Sequence, residues 1–167
     1  MRERLTPQDV EKIQQEIDHR KLVVRKEAIE AVKEARAQGD LSENFEYYAA
    51  KREKNQNESR IRYLERVLKT AEIITDHSGE DEVGLDNTVT LYVEEDEVEE
   101  TYRLVTSIRG NSLEGLISTE SPIGKAIMGH KVGDRVLVQV NDQYGYYVEI
   151  RKIEKTRDES GDRIRSY

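Results

Sequence analysis

Two carboxylates three residues apart are the first side chains in this sequence that suggest chemistry. Asp40 and Glu43 follow Gly39, at a break between two long stretches of helical pattern. Hard divalent ions such as Mg²⁺ prefer oxygen ligands, and proteins often hold them through one or two carboxylates, with water completing the shell. Because two carboxylates hold such an ion only weakly, a metal site here predicts an ion shared with the carboxylates of another protein.

A purely structural role for the same pair is also compatible with the spacing. Asp40 can cap the helix that follows, and Glu43 can complete an arrangement like a capping box. Both carboxylates also suit the positive end of a helix dipole. Spacing alone favours this structural interpretation over a metal site.

Aromatic and basic residues follow the two carboxylates closely. Tyr47 falls on the apolar stripe of the second helix and is expected to pack against the first, whereas Phe45 lies off the stripe. Phe45 can stack on a base or on a partner side chain, or fold back onto Leu41, and the sequence favours neither. Lys51, Arg52 and Lys54 form either a small phosphate-binding patch or a solvated helix face with ion pairs to Glu46 and Glu53, and the second arrangement is the more common.

All these residues lie at the predicted tip of a helical hairpin. Thr6 and Pro7 suit the N-cap and first residue of one helix, which Gly39 ends, and the second helix is expected to begin at about Ser42 or Glu43. The stripe residues recur at spacings of three, four or seven: Val10, Ile13, Ile17, Val24, Ala28, Ala31 and Ala35, then Tyr47, Ala50, Lys54, Asn57, Ile61, Leu64, Leu68 and Ala71. This pattern predicts an antiparallel coiled coil over residues 1–75 with an acidic tip at about residues 39–47.

After residue 75 the period of the apolar residues changes from helical to alternating. Residues 76–86 are predicted to be a polar linker, and residues 87–155 a small antiparallel sheet with one short helix capped by Ser121 and begun by Pro122. Strands are predicted at residues 89–93, 101–108, 113–118, 132–140 and 146–153. Residues 156–167 are charged and are expected to form a disordered tail. The predicted fold class is therefore α+β.

Composition narrows the possible functions further. Without cysteine there is no disulfide, thiolate metal site or cysteine nucleophile, and no apolar stretch approaches the length of a membrane span, so a cytoplasmic location is expected. Residues 1–75 carry 16 Lys/Arg and 15 Asp/Glu, whereas the remainder carries 11 Lys/Arg and 20 Asp/Glu and has a net charge of −9. Such an acidic remainder would be repelled by nucleic acid and attracted to a basic protein surface.

Two segments resemble the signatures of the bacterial transcript cleavage factors GreA and GreB, with GreA the nearer. The first is Gly39-Asp40-Leu41-Ser42-Glu43-Asn44, continued by Glu46-Tyr47 and Ala49-Ala50-Lys51. The second comprises Ser118, residues 121–129 and residues 133–136, in the expected order along the chain. The resemblance covers nearly the whole chain, from about residue 5 to residue 153.

The resemblance implies a coiled-coil hairpin joined to an FKBP-like domain, which is compatible with the periodicity. It also implies an accessory factor that is not itself an enzyme. Members of this family insert the hairpin through the secondary channel of RNA polymerase, where the acidic tip helps to bind a second Mg²⁺ ion and its attacking water. The polymerase then hydrolyses the backtracked RNA, releases a short 3′ fragment and resumes elongation. The alternative is a paralogue that occupies the channel and inhibits the polymerase.

Individual roles follow from matching positions in the two signatures. Asp40 and Glu43 are assigned to positioning the Mg²⁺ ion, which the chain would share with the polymerase and would not bind stably alone. The residues assigned to shaping the tip are Asn44, Glu46 and Tyr47. Those assigned to the nascent RNA 3′ segment are Lys51 and Arg52, and those assigned to docking on the polymerase are Ser121, Pro122 and Ile123.

The chain departs from the family pattern at Phe45, where the family commonly has a small residue. A bulky side chain beside the two carboxylates would narrow the entry to the tip or alter the metal geometry. Tyr48 and His130 are also unusual, and the tail after Lys155 extends beyond the usual end. Prolyl isomerase activity, which an FKBP-like fold suggests by analogy alone, is disfavoured because residues 76–167 show no apolar lining for a proline pocket.

Overall fold

Two helical arms occupy most of the first half of the chain in this computed structural model, which describes residues 2–39, 44–156 and 158–166. The first arm consists of α1 (Pro7–His19), a π-helical segment (Arg20–Val24) and α2 (Arg25–Ala37), and the second arm is α3 (Phe45–Thr70). The prediction of two long helices is confirmed, although α3 begins at Phe45 rather than at Ser42 or Glu43. None of the helices in the described ranges has the length and apolar character needed to cross a bilayer.

The two arms pack in an antiparallel arrangement. Arg60 contacts Glu16, and Asn57 contacts Arg20, so that residue numbers fall on one arm as they rise on the other. The buried hydrophobic side chains of the two arms are Ile13, Ile17, Ala35, Tyr47, Ala50, Ile61, Leu64 and Val67. Most of these lie on the predicted stripe, so the periodicity identified the packed faces correctly.

The π-helical segment accommodates one extra residue in the apolar repeat of the first arm. A regular heptad alternates spacings of three and four, but Arg20, Val24 and Ala28 follow one another at two successive spacings of four. Within the segment the backbone N–H of Arg25 donates to the carbonyl oxygen of Arg20, one residue further back than in an α-helix. This wider turn restores the phase of the stripe, so that α2 still packs against α3.

Polar residues in the middle of the hairpin bind this same segment. The buried Asn57 accepts a hydrogen bond from the Arg20 guanidinium at 3.0 Å and donates one to the Arg20 carbonyl oxygen at 3.2 Å. Glu16 lies 2.7 Å from Arg20 and 2.9 Å from Arg60. Burial raises the pKa of Glu16, but hydrogen bonds from the two arginines outweigh burial, and the net shift is downward. These contacts form only in one alignment of the arms, and they therefore specify the register.

A five-stranded mixed sheet forms the framework of the second half of the chain. Its strands lie in the order β5-β4-β3-β7-β6, namely β5 (Leu116–Ser118), β4 (Val98–Val105), β3 (Thr88–Val93), β7 (Tyr144–Glu154) and β6 (Arg135–Asn141). Neighbouring strands are antiparallel except for β4 and β5, which are parallel. The predicted purely antiparallel sheet is wrong at this edge, because 3₁₀ turns at Ser107–Arg109 and Ser112–Glu114 carry the chain back to run beside β4 in the same direction.

The sheet buries one face against a short helix, α4 (Pro122–Ile127). Alternate residues of the strands supply the core, which contains Val83, Val89, Leu91, Val93, Leu104, Ile117, Ile127, Val136, Val138, Val148 and Ile150. A Cβ at Gly124 would collide with the carbonyl oxygen of Ser118, so glycine is needed where α4 begins. The α+β class and the short helix are therefore confirmed.

The chain divides into two compact units whose boundaries differ from the predicted domains. One unit contains residues 1–2 and 10–71, and the other contains residues 3–9 and 72–167. In the second unit, β1 (Arg4–Leu5) forms a parallel pair with β2 (Glu72–Ile73). The N-terminal segment, predicted as part of the hairpin, thus belongs to the C-terminal unit.

Residues 76–86, predicted to be a polar linker, are part of the C-terminal unit. Val83 is fully buried, and its N–H donates to the His130 carbonyl oxygen at 2.8 Å. Leu85 is also buried, and the N–H of Asp86 donates to the Leu104 carbonyl oxygen at 2.7 Å. The linker prediction was wrong because these two apolar residues, isolated among polar ones in the sequence, are buried, and backbone hydrogen bonds join the segment to the rest of the unit.

The charged tail also packs on the C-terminal unit. Glu159 is buried, Asp162 lies 2.7 Å from the guanidinium groups of both Arg103 and Arg109, and the N–H of Arg165 donates to the Ile108 carbonyl oxygen at 2.8 Å. The prediction of a disordered tail is therefore wrong for its described residues. Low apolar content was its basis, but buried ion pairs and a backbone hydrogen bond hold this segment.

Arg109 is the centre of a buried ionic cluster, formed with Asp9, Asp86, Glu159 and Asp162. The Arg109 side chain is fully buried, with Nε 2.7 Å from Asp9 and Nη1 2.6 Å from Asp86. Nη1 is also 2.7 Å from Asp162, and Nη2 is 3.2 Å from Glu159. The cluster joins residues that are distant in sequence: the first turn of α1, the start of the sheet and the tail.

The Glu159 carboxyl in this cluster has an unusual environment. Burial and a hydrogen bond with Asp86 raise the pKa of Glu159 to about 7, while the Thr6 hydroxyl, which donates to Glu159, and the charge of Arg109 oppose the rise. Thr6 also caps α1, because its Oγ1 accepts from the Asp9 N–H at 3.1 Å and its own N–H donates to the Asp9 carboxylate at 3.0 Å. The predicted cap is thus confirmed.

We expect Glu159 to make the free energy of unfolding decrease as the pH rises from about 4.5 to about 7. Its pKa is raised from 4.5 in the folded chain, so the folded state retains a proton that the unfolded state loses, and this stabilisation disappears as the pH passes the folded pKa. Thermal unfolding across this window should show a smaller loss of stability for Glu159→Gln, whose amide does not titrate. Equal pH dependence in the two proteins would contradict this assignment.

Replacing the central arginine should be strongly destabilising. Arg109→Met leaves several buried carboxylates without their cation, and breaking such a pair costs about 3–5 kcal/mol. Urea unfolding of Arg109→Met can be compared with that of Lys152→Met, which removes an exposed ion pair with Glu154 and should cost less than about 1 kcal/mol. Similar losses in the two variants would show that the cluster does not stabilise the fold.

Candidate functional site

Asn44 determines how the described part of the tip begins. Its Oδ1 accepts a hydrogen bond from the Tyr47 N–H at 3.0 Å, which makes it the N-cap of α3. Its Nδ2 donates to the Ala35 carbonyl oxygen at 2.6 Å, near the end of α2. One side chain therefore starts the second arm and ties it to the first.

The two predicted metal-positioning residues, Asp40 and Glu43, lie outside the described residues. Within the ranges 2–39, 44–156 and 158–166, no group of three or more His, Asp or Glu side chains is arranged to hold a metal ion. Because Asn44 caps α3, the helix does not need a carboxylate from Asp40 or Glu43 for that purpose. Two carboxylates suit Mg²⁺ as a donor set, and the metal-positioning role stays a prediction.

Tyr47 packs between the arms, as predicted. It is 9% exposed, and the guanidinium carbon of Arg36, on α2, lies 5.7 Å from its ring centroid. A hydrogen bond from Arg36 lowers the pKa of the Tyr47 hydroxyl, against the opposing effect of burial. Glu46 is exposed in the first turn of α3. Of the tip residues, Asn44 and Tyr47 thus have defined structural contacts and Glu46 faces solvent.

Phe45 is largely exposed to solvent in the described part of the chain. Its side chain is 85% exposed, and Leu41, the residue onto which it could alternatively fold back, lies outside the described residues. Tyr48 is 47% exposed, and its ring meets that of Tyr47 edge-on at 5.4 Å. From the sequence, Tyr48 was identified only as a departure from the family pattern. Its position three residues after Phe45 is the signal that could have shown that the two rings share a helix face.

Lys51 and Arg52 are both exposed on α3, just beyond these aromatic residues. Neither forms an ion pair with another residue in the described part of the chain, so the solvated ion pairs considered from the sequence are not formed there. The two cations are available to an anionic ligand, and their assignment to RNA stays a prediction.

The second predicted site, at the start of α4, has mixed roles. Ser121 Oγ accepts from the Gly124 N–H at 3.1 Å and donates to the Ser118 carbonyl oxygen at 2.6 Å, so this side chain is the helix cap. Ile123 is half-buried against the core, whereas Pro122 is exposed. Only Pro122 among the three presents its side chain fully to solvent.

Comparisons with known proteins agree with this architecture. Residues 3–73 match the family model described as "Transcription elongation factor, N-terminal", and residues 78–155 match the model described as "Transcription elongation factor, GreA/GreB, C-term". Together these matches leave few residues of the chain unassigned.

Individual relatives are similar over most of their length. The chain is 44% identical over 135 residues to the transcription elongation factor GreA of Bacillus subtilis (strain 168), covering 81% of this chain and 86% of the relative. It is 41% identical over 153 residues to GreA of Streptococcus pneumoniae serotype 19F (strain G54), covering 91% and 95%.

One solved structure compared with the chain is that of GreA factor homolog 1 (Gfh1) of Thermus thermophilus. It is 28% identical, with a TM-score of 0.43, covering 92% of this chain and 99% of that one. The two family models and the relatives above 40% identity decide the assignment. The chain belongs to the GreA/GreB family of transcription elongation factors.

Proposed function

We propose that the chain binds RNA polymerase through its secondary channel and stimulates Mg²⁺-dependent cleavage of backtracked RNA, so that arrested complexes resume elongation. The supporting observation is the tip sequence from Gly39 to Asn44, with both carboxylates present between the two arms of the hairpin. In this role the chain is an accessory factor, because the hydrolysis takes place in the active site of the polymerase.

The hairpin has the dimensions for delivering a tip into a deep channel. The 26 residues of α3 extend about 39 Å at about 1.5 Å per residue. The arms are held in register by Asn57 and by the ion pairs of Glu16, so that the rod resists sliding. A narrow, stiff helical pair suits a function that takes place at its end.

Asp40 and Glu43 would supply carboxylate ligands to an Mg²⁺ ion whose remaining ligands belong to the polymerase. When bound, such an ion lowers the pKa of its water and stabilises the charge that develops at the scissile phosphate. Asn44 and Tyr47 would hold the start of α3 against α2, through Ala35 and Arg36, so that the helix following the two carboxylates has a fixed position on the first arm. Glu46 would add negative charge beside them.

Lys51 and Arg52 would bind the phosphates of the nascent RNA 3′ segment. Both are exposed on the arm that carries the tip motif, within two helical turns of it. A cation at this position offsets the repulsion between RNA and the acidic tip, and each phosphate contact adds salt-dependent affinity.

The C-terminal unit would dock at the rim of the channel. Residues 76–167 carry most of the negative charge of the chain, which suits a basic protein surface. Pro122 would make direct contact, while Ser121 and Ile123 would fix the position of α4 through the cap and the core.

An inhibitory paralogue is the second candidate, and Phe45 is the observation that favours it. A ring that is 85% exposed at the tip, where the family commonly has a small residue, could obstruct the polymerase active site. Such a factor would slow nucleotide addition without releasing RNA fragments.

Cleavage assays on a stalled, backtracked elongation complex with labelled RNA would test the proposal. Wild-type protein with Mg²⁺ should release short 3′ fragments. Asp40→Asn or Glu43→Gln should reduce the rate of RNA cleavage by about tenfold to a hundredfold, because each removes the negative charge of a metal ligand. Binding to the polymerase, measured by competition, should remain.

The matched control is Glu53→Gln, which makes the same change of charge at an exposed position of α3 outside the tip. It should cleave at the wild-type rate. Normal cleavage by Asp40→Asn and Glu43→Gln would refute the role of the tip carboxylates. Slower nucleotide addition by wild-type protein, with no fragments, would instead establish the inhibitory function.

A further inference from the structure

We propose that Phe45, Tyr48 and Arg52 form a stacking platform for an unpaired base in the RNA 3′ segment. This inference rests on the proposed function, because that function brings a single-stranded RNA end to the hairpin tip. It adds a base-binding role to the phosphate contacts assigned to Arg52, and it gives Phe45 a role other than obstruction.

The three side chains lie on one face of α3. Their spacings of three and four residues place them on adjacent turns of the same helix face. Phe45 is 85% exposed, Tyr48 is 47% exposed, and Arg52 is also exposed. Ala49, between the rings and the guanidinium, is small and exposed, and it leaves the face unobstructed.

The platform is attached to a well-supported part of the hairpin. Tyr48 meets Tyr47 at an interplanar angle of 64°, and Tyr47 is itself packed beneath Arg36 of the other arm. Phe45 is the first residue of α3, directly after the cap residue Asn44. The backbone of a capped helix is already ordered, so binding a ligand here costs side-chain freedom only, which favours stacking.

The chemistry of this face suits single-stranded nucleic acid better than a protein pocket. Proteins that bind unpaired strands combine aromatic rings, which stack on bases, with cations, which contact the backbone. Lys51 and Arg52 supply the cations, and neither forms an ion pair with another described residue. Glu46, the exposed carboxylate of this turn, lies one residue from Phe45 and therefore on another side of the helix.

If a base stacks on Phe45, the protein concentration needed for half-maximal cleavage should depend on the presence of that base and not only on the phosphate. Backtracked complexes would carry either a normal nucleotide or an abasic ribose at single positions of the extruded RNA. With normal RNA, Phe45→Ala should raise the protein concentration for half-maximal cleavage about tenfold, since base stacking is lost. At the stacking position the abasic RNA should weaken the wild type and leave Phe45→Ala unchanged.

Conservative variants separate a stacking ring from a merely apolar contact. Phe45→Tyr retains a π-face and should behave as wild type, whereas Phe45→Leu retains apolar surface and should behave as Phe45→Ala. Leu22→Ala is the matched control, because Leu22 is an apolar side chain that is 75% exposed on the other arm. It should leave the half-maximal concentration unchanged.

A protein pocket for Phe45 would give different results and would overturn the inference. Phe45→Ala would then weaken binding to polymerase complexes that have no extruded RNA, Phe45→Leu would bind better than Phe45→Ala, and an abasic nucleotide at any position would have no effect on the wild type.

Photocrosslinking distinguishes failure of the platform from failure of the cleavage proposal. With 4-thiouridine in the extruded RNA, wild-type protein should crosslink within residues 45–52 whether or not fragments are released. Crosslinking without cleavage would retain the platform and reject cleavage stimulation. Cleavage with no crosslink in this segment would reject the platform alone.

Discussion

The hydrogen bonds of the Asn44 side chain are the constraint on which the described end of the hairpin depends. A helix leaves its first backbone N–H groups without partners, and an antiparallel hairpin must also bring two helix ends together. Asn44 meets both requirements, because its oxygen caps α3 and its nitrogen binds the Ala35 carbonyl oxygen of α2. An aspartate at this position could cap α3 but could not donate to that carbonyl group. The amide therefore couples the start of α3 to the end of the first arm, and α3 needs no cap from a neighbouring carboxylate.

Features that depend on local sequence could be predicted, and those that depend on distant pairing could not. The arms follow from apolar spacing, and the caps at Thr6 and Ser121 from residue type, because both signals lie within one or two turns. The parallel pairing of β4 with β5 has no such local signal. The tail was assigned to disorder because its residues are charged, yet Glu159 and Asp162 are held by Arg109, which lies far away in sequence. Burial of charge is invisible to periodicity, since it requires a partner that the pattern does not reveal.

In the candidate site, too, the sequence predicted some features and missed others. Motif spacing located Asp40 and Glu43, which the structure does not describe, and it correctly placed Tyr47 against the first arm. It could not decide between a packed and an exposed Phe45, because a ring at the first helical position can turn either way. The π-helical segment was also unforeseen, although the spacings around Val24 contain the extra residue that it accommodates. Spacing alone does not show whether a helix accommodates such a residue by widening one turn or by rotating its apolar stripe away from the partner helix.

Folding offers no reason for an aromatic residue at position 45. A side chain that is 85% exposed contributes little burial, and α3 is already started by the Asn44 cap and held by Tyr47. A small residue would serve the helix equally well and would expose less apolar surface to solvent. Under the stacking proposal, the benefit of Phe45 arises in a complex, where an unpaired base covers the ring. Exposed cations at Lys51 and Arg52, together with Tyr48 on the same helix face as Phe45, make an unpaired RNA strand the partner whose chemistry matches this part of the surface.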